Sequence, residues 1–224
     1  MNRTLKFSLL LVATFLLPVA TSYALPVAGD SILVSTSTNR ASGFEGGEFL
    51  LKDITSGLSY ISFCVEWSEH IYLDNVYKAD TVVDYANAGG GGASYYGTEL
   101  RDPLSNYTKW LMNEYVHGDL SSFFNSNALA SDVELSKAVQ IAIWILEDET
   151  TPYNASVLAN DIVKIAKNHG DYAYDNVKVV NLVSGKTLAQ SQVVAAPVPE
   201  PATLLLLGTG LIGIAGASRK KFRK

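Results

Sequence analysis

The segment SDVELSKAVQIAIWILEDE, residues 131–149, has the helical periodicity that decides the second half of this chain. Ser131 and Glu134 form a capping box, which predicts that a helix begins here and runs to about Glu149. Apolar residues recur at spacings of three and four, at Leu135, Ala138, Val139, Ala142, Ile143 and Leu146. Further apolar residues cover most of the remaining surface, so we expect the helix to be largely buried.

The first half of the chain is rich in β-branched and aromatic residues, which predict strands. Four strands are expected, at Ser31–Ser37, Glu48–Ile54, Leu58–Trp67 and Val76–Asp84. Two more helices are expected at Leu104–His117 and Ser156–Asn168, and a last strand at Val177–Val183. A strand-rich first half, a helical second half and a final strand predict an α+β fold.

Residues 1–24 have the pattern of a secretory signal peptide. Arg3 and Lys6 precede an apolar run, and Ser22-Tyr23-Ala24 supplies small residues before a cleavage site after Ala24. The alternative is an uncleaved anchor, but the run is shorter than the ~20 apolar residues of a full span. We therefore predict export with cleavage.

The C-terminal residues 198–224 have three parts in a fixed order. Pro199-Glu200-Pro201 comes first, an apolar stretch over residues 202–217 follows, and residues 219–224 are almost wholly basic. The stretch predicts a short transmembrane helix whose basic end stays in the cytoplasm. The order resembles the PEP-CTERM sorting signal of Gram-negative bacteria. That resemblance implies processing by an exosortase, after transient anchoring in the inner membrane. It also implies release to the cell surface or the exopolysaccharide matrix; a plain tail anchor is the alternative.

Between the two ends lies one exported module, assigned to residues 25–190, with a linker at residues 191–197. Residues 25–199 contain ten Lys and Arg against 21 Asp and Glu, a net charge of −11. Because a domain with this negative charge repels the phosphates of nucleic acids, we do not expect DNA or RNA as a partner.

Cys64, the single cysteine, and Gln140 are the candidate site residues. Alternation in the predicted strand directs Cys64 away from the more apolar face, and Gln140 lies off the apolar stripe of its helix. The simple interpretation is a solvated glutamine and a semi-buried structural thiol. The other is that the two side chains meet at the edge of the contact between strand and helix.

The segments FCVE (residues 63–66) and QIAIW (residues 140–144) resemble the signatures of the thioester domains of Gram-positive surface adhesins. The similarity covers roughly residues 46–158, and Val139 stands where the family often has threonine. It implies that the Cys64 sulfur and the Gln140 amide condense, with loss of ammonia, to an internal thioester. An amine on a target surface then attacks the carbonyl and becomes covalently bound.

The expected function is an exported adhesive or matrix protein whose partners are exosortase and either an exopolysaccharide or an amine-bearing surface. The alternative is a noncovalent structural or polysaccharide-binding protein in which Cys64 is only structural, and Tyr95 and Tyr96 can stack on a sugar.

The sequence contains no recognisable set of catalytic residues, so an enzyme is not predicted. No cofactor or metal site is predicted either, because the only histidines, His70, His117 and His169, lack ligand spacing. Glu147-Asp148-Glu149 is interpreted as a solvated helix end, with contact to a cation as the alternative, although acids there oppose the helix dipole.

Overall fold

This computed structural model describes residues 25–87, 91–118, 120–124, 131–149, 153–170 and 174–196. The predicted signal peptide and the predicted tail, with its transmembrane helix and sorting motif, lie outside these residues. Within the described ranges, no helix is both long enough and apolar enough to cross a membrane.

The described residues contain nine strands. They are β1 (Ser31–Thr36), β2 (Phe49–Asp53), β3 (Ser59–Cys64), β4 (Asn75–Val83), β5 (Tyr85–Asn87), β6 (Ser94–Tyr96), β7 (Glu99–Pro103), β8 (Val177–Ser184) and β9 (Thr187–Ala195). Six of them close into an antiparallel barrel in the order β1–β2–β3–β9–β8–β4. The four strands predicted in the first half are confirmed, although β3 ends at Cys64 rather than at Trp67.

A C-terminal hairpin completes the barrel. The predicted strand at Val177–Val183 is confirmed as β8, but a second strand, β9, follows it after a turn at Gly185, whose φ is +64°. Strand β9 pairs with both β3 and β8. The assignment of a linker at residues 191–197 is therefore wrong for residues 191–195. Gln190, Ser191 and Gln192 are buried polar residues, and they break the apolar alternation by which a strand is recognised.

A small three-stranded sheet, in the order β5–β7–β6, lies outside the barrel and was not predicted. It is anchored by Asn181 on β8, whose side chain accepts a hydrogen bond from the N–H of Asn87 at 2.9 Å and donates one to the carbonyl of Tyr85 at 3.0 Å. Its strands are three to five residues long, too short for a clear alternation to appear in the sequence.

The three predicted helices are confirmed as α1 (Asn106–His117), α2 (Asp132–Leu146) and α3 (Val157–Lys167). A short 3-10 helix follows α1 at Leu120–Phe123. Each α-helix begins after a serine whose hydroxyl accepts a hydrogen bond from the N–H three residues later, at Ser105, Ser131 and Ser156. Helix α2 is largely buried, as expected, and it packs against both α3 and β3.

Candidate functional site

The carboxamide of Gln140 lies in the core against the backbone of Cys64. Its Oε1 accepts a hydrogen bond from the Cys64 N–H at 3.0 Å, and its Nε2 donates one to the Cys64 carbonyl at 2.8 Å. The N–H of Gly47 also donates to Oε1, at 3.2 Å. Gln140 is fully buried, so the interpretation of a solvated glutamine is wrong, and its burial is compensated by these three bonds.

Two successive backbone amides before β2 hold helix α2 in register. The N–H of Gly47 donates to Gln140, and the N–H of Glu48 donates to the hydroxyl of Ser136 at 3.0 Å. Ser136 and Gln140 lie one turn apart on the same face of α2. The hydrogen-bonded pairing of β2 with β3 ends at Phe49 and Ser62. Beyond that pair, side chains of α2 accept hydrogen bonds from the backbone N–H groups that no longer face a strand partner.

The close approach of this loop to α2 requires glycine at two positions. A Cβ atom on Gly46 would lie 2.6 Å from a ring carbon of Trp144 and 2.7 Å from Cγ of Gln140. Gly47 has a φ of +101°, a conformation that side-chain-bearing residues rarely adopt. Arg40 fixes the loop from outside, because its guanidinium donates to the carbonyls of Gly46 and Phe44 at 3.1 and 2.9 Å.

The thiol of Cys64 is fully buried, not half-buried as the simple interpretation held. Its Sγ accepts a hydrogen bond from Nε2 of Gln192 at 3.5 Å, and Oε1 of Gln192 accepts one from the hydroxyl of Ser62 at 3.1 Å. Burial raises the pKa of the Cys64 thiol to about 12, although the Gln192 bond acts in the opposite direction. The thiol is therefore protonated at neutral pH and kept from bulk solvent.

The surroundings of the Gln140 carboxamide suit nucleophilic attack at its carbon, Cδ. Such an attack moves negative charge onto Oε1, which already has the Cys64 and Gly47 N–H donors at 3.0 and 3.2 Å. Two fixed backbone donors on the oxygen that gains charge form an oxyanion hole. The residue that supplies one of these donors, Cys64, also carries the sulfur.

A cleft of about 430 Å³ lies near the candidate site, with Trp67 and Ser68, which follow β3, in its wall. Arg40 and Glu69 lie in its wall, and the charges of both act on the Cys64 thiol. Trp144, one turn after Gln140 on α2, also lines it, together with Glu45. The cleft therefore brings solvent and two acidic side chains to Trp144, whereas Cys64 and Gln140 do not line it.

The acidic end of α2 is not the solvated end that we expected from the sequence. Glu147 is buried, and it accepts hydrogen bonds from the hydroxyl and the N–H of Ser105, at 2.7 and 3.2 Å, where α1 begins. Glu149 accepts bonds from the N–H groups of Trp67 and Gly91 at 3.0 and 2.7 Å. Donors at the start of another helix and in two loops thus offset the unfavourable helix dipole.

Sequence reasoning named Cys64 and Gln140, which the fold brings together, but it missed the residues that hold them. These are Gly46, Gly47, Ser136 and Gln192. The Gly46-Gly47 doublet directly before a predicted strand is a signal from which this contact could have been predicted, because glycines allow a backbone segment to approach a neighbouring element closely. Gln192 gave no signal, since it lies in the segment that was assigned to a linker.

Residues 197–220 carry a PEP-CTERM protein-sorting motif. The family model described by that name matches these residues, which include the predicted motif Pro199-Glu200-Pro201. The resemblance seen in the tail is thereby confirmed, and the motif implies export and processing by an exosortase. The geometry of the tail lies outside the described residues.

A solved structure that is similar to this chain is the N-terminal thioester domain of a surface protein from Clostridium perfringens. The sequences are 12% identical, the match covers 74% of this chain and 98% of that one, and the TM-score is 0.48. No curated protein sequence matches the chain significantly. At this identity and TM-score the likeness carries no information about chemistry.

Proposed function

We propose that the exported domain is an adhesive module of the cell surface or exopolysaccharide matrix, and that Cys64 and Gln140 condense to an internal thioester. The observation that carries the proposal is the Gln140 carboxamide, which is buried and held by the backbone of Cys64 with two N–H donors on its oxygen. The sorting motif supports the location, because it routes proteins out of the cytoplasm.

In the forming step, the Cys64 sulfur attacks Cδ of Gln140, a sulfur–carbon bond forms and the carbon–nitrogen bond breaks. The nitrogen leaves as ammonia and takes the thiol proton with it. The amide of Gln192 donates to the sulfur and stabilises negative charge that develops there, while the oxyanion hole holds the charge on Oε1. Reactive cysteines usually have a low thiol pKa, which Cys64 lacks. In this proposal the fixed hydrogen bonds that position the Gln140 amide promote the reaction instead.

In the bonding step, a primary amine on the target attacks the thioester carbonyl, an amide forms at Gln140 and the Cys64 thiol is regenerated. Burial of the pair keeps water away until a target arrives. In the cleft lined by Trp144, Glu45 and Glu69 outnumber Arg40, so the cleft attracts a protonated amine electrostatically. Each molecule bonds once, so the domain is an adhesin and not an enzyme with turnover.

The intact mass of the protein collected outside the cells tests the proposal. We expect the wild type to be one ammonia lighter than its processed sequence. Treatment with methylamine should then add one methylamine, and peptide mapping should locate it at Gln140. Cys64→Ala and Gln140→Ala should each have the full sequence mass and remain unchanged by the amine.

Gln190→Ala is the matched control, because Gln190 is also a buried glutamine bonded to a backbone carbonyl, that of Glu66 at 2.8 Å. It should keep the mass deficit and the reaction with methylamine. A wild type with its full mass and a titratable thiol contradicts the thioester.

A second candidate is noncovalent binding of a polysaccharide, with Cys64 only structural. It is favoured by Tyr95 and Tyr96 on the small sheet, which are 76% and 53% exposed, and by the guanidinium of Arg101 at 5.8 Å from the Tyr96 ring. Exposed aromatic rings are suited to stacking on sugars. If this second function is the correct one, the exported protein has the full mass of its processed sequence. Replacing both tyrosines with alanine should then abolish retention of the protein on the polysaccharide.

A further inference from the structure

Three carboxylates meet beside the candidate thioester site, although they are far apart in the sequence. Glu66 follows β3, Asp102 lies on β7 and Glu149 follows α2. One oxygen from each lies within 4.8 Å of the other two. Oxygens bound to one Ca²⁺ at about 2.3–2.6 Å lie at most about 5 Å apart, so the three fit a single coordination sphere.

Glu66 is the residue whose burial the fold does not explain. Its side chain is completely buried, and neither carboxylate oxygen has a hydrogen-bond partner among the described residues. Within the same residues, neither Glu66 nor Glu149 forms an ion pair with a Lys, Arg or His. A buried carboxylate without a partner is strongly unfavourable, and a bound cation removes that penalty.

The other two carboxylates are oriented by backbone donors. The N–H groups of Trp67 and Gly91 donate to the two oxygens of Glu149, at 3.0 and 2.7 Å, and the N–H of Gly92 donates to Oδ2 of Asp102 at 3.3 Å. Such outer partners are what fixes ligand carboxylates in metal sites. Each Glu149 oxygen accepts one of these bonds and retains a further lone pair for a cation.

Glycines allow the loop to wrap closely around these acids. A Cβ atom on Gly92 would lie 2.7 Å from Oδ1 of Asp102, and one on Gly91 would overlap the carbonyl of Asp148. The cluster is closed on the side of Glu66 and Asp102, which are buried, and open towards Glu149, which is partly exposed. A hydrated cation therefore has a way in past Glu149.

We propose that Glu66, Asp102 and Glu149 bind one Ca²⁺ ion, with water completing the coordination. Hard oxygen ligands of this kind select Ca²⁺, Mg²⁺ or Mn²⁺ over softer metals. Ca²⁺ is favoured because Mg²⁺ demands near-ideal octahedral geometry and gives up its waters reluctantly.

The ion joins the end of β3, which carries Cys64, to the end of α2, which carries Gln140, and to the small sheet, which carries Asp102. Glu66 is two residues after Cys64, and Glu149 follows the helix that carries Gln140. Binding of Ca²⁺ to the folded state alone therefore stabilises the architecture that holds this pair.

The test uses the exported protein, dialysed against EDTA and then titrated with CaCl₂. Its thermal midpoint should rise by roughly 5–10 °C when Ca²⁺ is one hundred times its dissociation constant, and by less with Mg²⁺. Tb³⁺, a luminescent substitute for Ca²⁺, should bind at one site, be excited through the adjacent Trp67, and be displaced by Ca²⁺.

Glu66→Gln preserves the shape of the side chain and should abolish both the Ca²⁺-dependent rise and the Tb³⁺ signal. Asp102→Asn is the second variant, with the same expected loss. Glu147→Gln is the matched control, because Glu147 is a buried acid at the same helix end but has its own donors on Ser105. It should keep the full response to both ions.

The proposal is overturned if the wild-type midpoint does not respond to Ca²⁺. It is also overturned if Glu66→Gln and Asp102→Asn respond as the wild type does, since the ions would then bind elsewhere.

Discussion

Gln140 and Glu66 are both completely buried polar side chains near the end of β3, yet their environments differ. The Gln140 carboxamide has three backbone partners, two on its oxygen and one on its nitrogen. Neither oxygen of Glu66 has a hydrogen-bond partner among the described residues, and one oxygen each of Asp102 and Glu149 lies within 4.8 Å of a Glu66 oxygen. An amide thus has backbone partners on both of its polar atoms, whereas a carboxyl group two residues from Cys64 has none among the described residues.

The difference separates two ways in which a protein keeps polar groups in its core. A satisfied amide stabilises the fold by itself and fixes a single arrangement of helix and strand. An unsatisfied carboxylate among other carboxylates is stable only when something else neutralises it, and the inferred Ca²⁺ does this. Replacing each side chain therefore has a different expected effect.

The largest expected effect is that of Gln140→Ala. It leaves the N–H groups of Gly47 and Cys64 and the carbonyl of Cys64 buried without a partner. We expect the free energy of unfolding to fall by about 3–5 kcal/mol, measured by urea unfolding, from the loss of these bonds and of the buried side chain. The measurement uses the Cys64→Ala background, so that no thioester contributes.

Glu66→Gln in EDTA is the contrasting measurement, since it replaces a buried carboxyl group that has no hydrogen-bond partner among the described residues. Its unfolding free energy should equal or exceed that of the wild type. If Gln140→Ala and Glu66→Gln lower the free energy of unfolding equally, the proposed difference between the surroundings of Gln140 and Glu66 is contradicted.

The next effect comes from two glycines, one in each region. Gly46→Ala places a methyl group 2.6 Å from Trp144, and we expect a loss of about 1–3 kcal/mol that is the same with and without Ca²⁺. Gly92→Ala places a methyl group 2.7 Å from Oδ1 of Asp102, so it should weaken the affinity for Ca²⁺. Thermal unfolding in EDTA and in CaCl₂ distinguishes them, and a reversed pattern contradicts the comparison.

The smallest effect concerns Asp84, an acid that does have partners. Partial burial raises the pKa of Asp84, but hydrogen bonds from Lys109 and Lys178, at 2.7 and 2.9 Å, outweigh it and lower the pKa. A lowered folded-state pKa stabilises the protein above the unfolded value of 3.8, and this contribution is lost as pH falls through the folded value.

Asp84→Asn should therefore reduce stability at pH 7 by about 0.2–1 kcal/mol, because the carboxylate is half-exposed and screened. Urea unfolding at pH 7 and at pH 3 measures the difference, which should shrink at the lower pH. A difference that grows on acidification would mean that the two lysines do not stabilise the charged form.

Periodic elements were predictable, and elements with buried polar residues were not. The stripe from Leu135 to Leu146 predicted α2 because its apolar residues recur at helical spacing. Strand β9 was missed because Gln190, Ser191 and Gln192 face buried surroundings without being apolar. The small sheet was missed because strands of three to five residues are too short to display a period.

The sequence by itself determined the α+β order, the sorting tail and the two residues of the candidate site. Each is encoded locally, in a hydrophobic period, in a motif at residues 197–220 or in a short segment around Cys64 or Gln140. Tertiary structure alone decided that Gly47 and Cys64 both donate to Gln140, and that Glu66, Asp102 and Glu149 share one volume. Those contacts join residues 36 to 93 positions apart, and only the packing of α2 and of the small sheet against the barrel brings them within hydrogen-bonding or ligand distance.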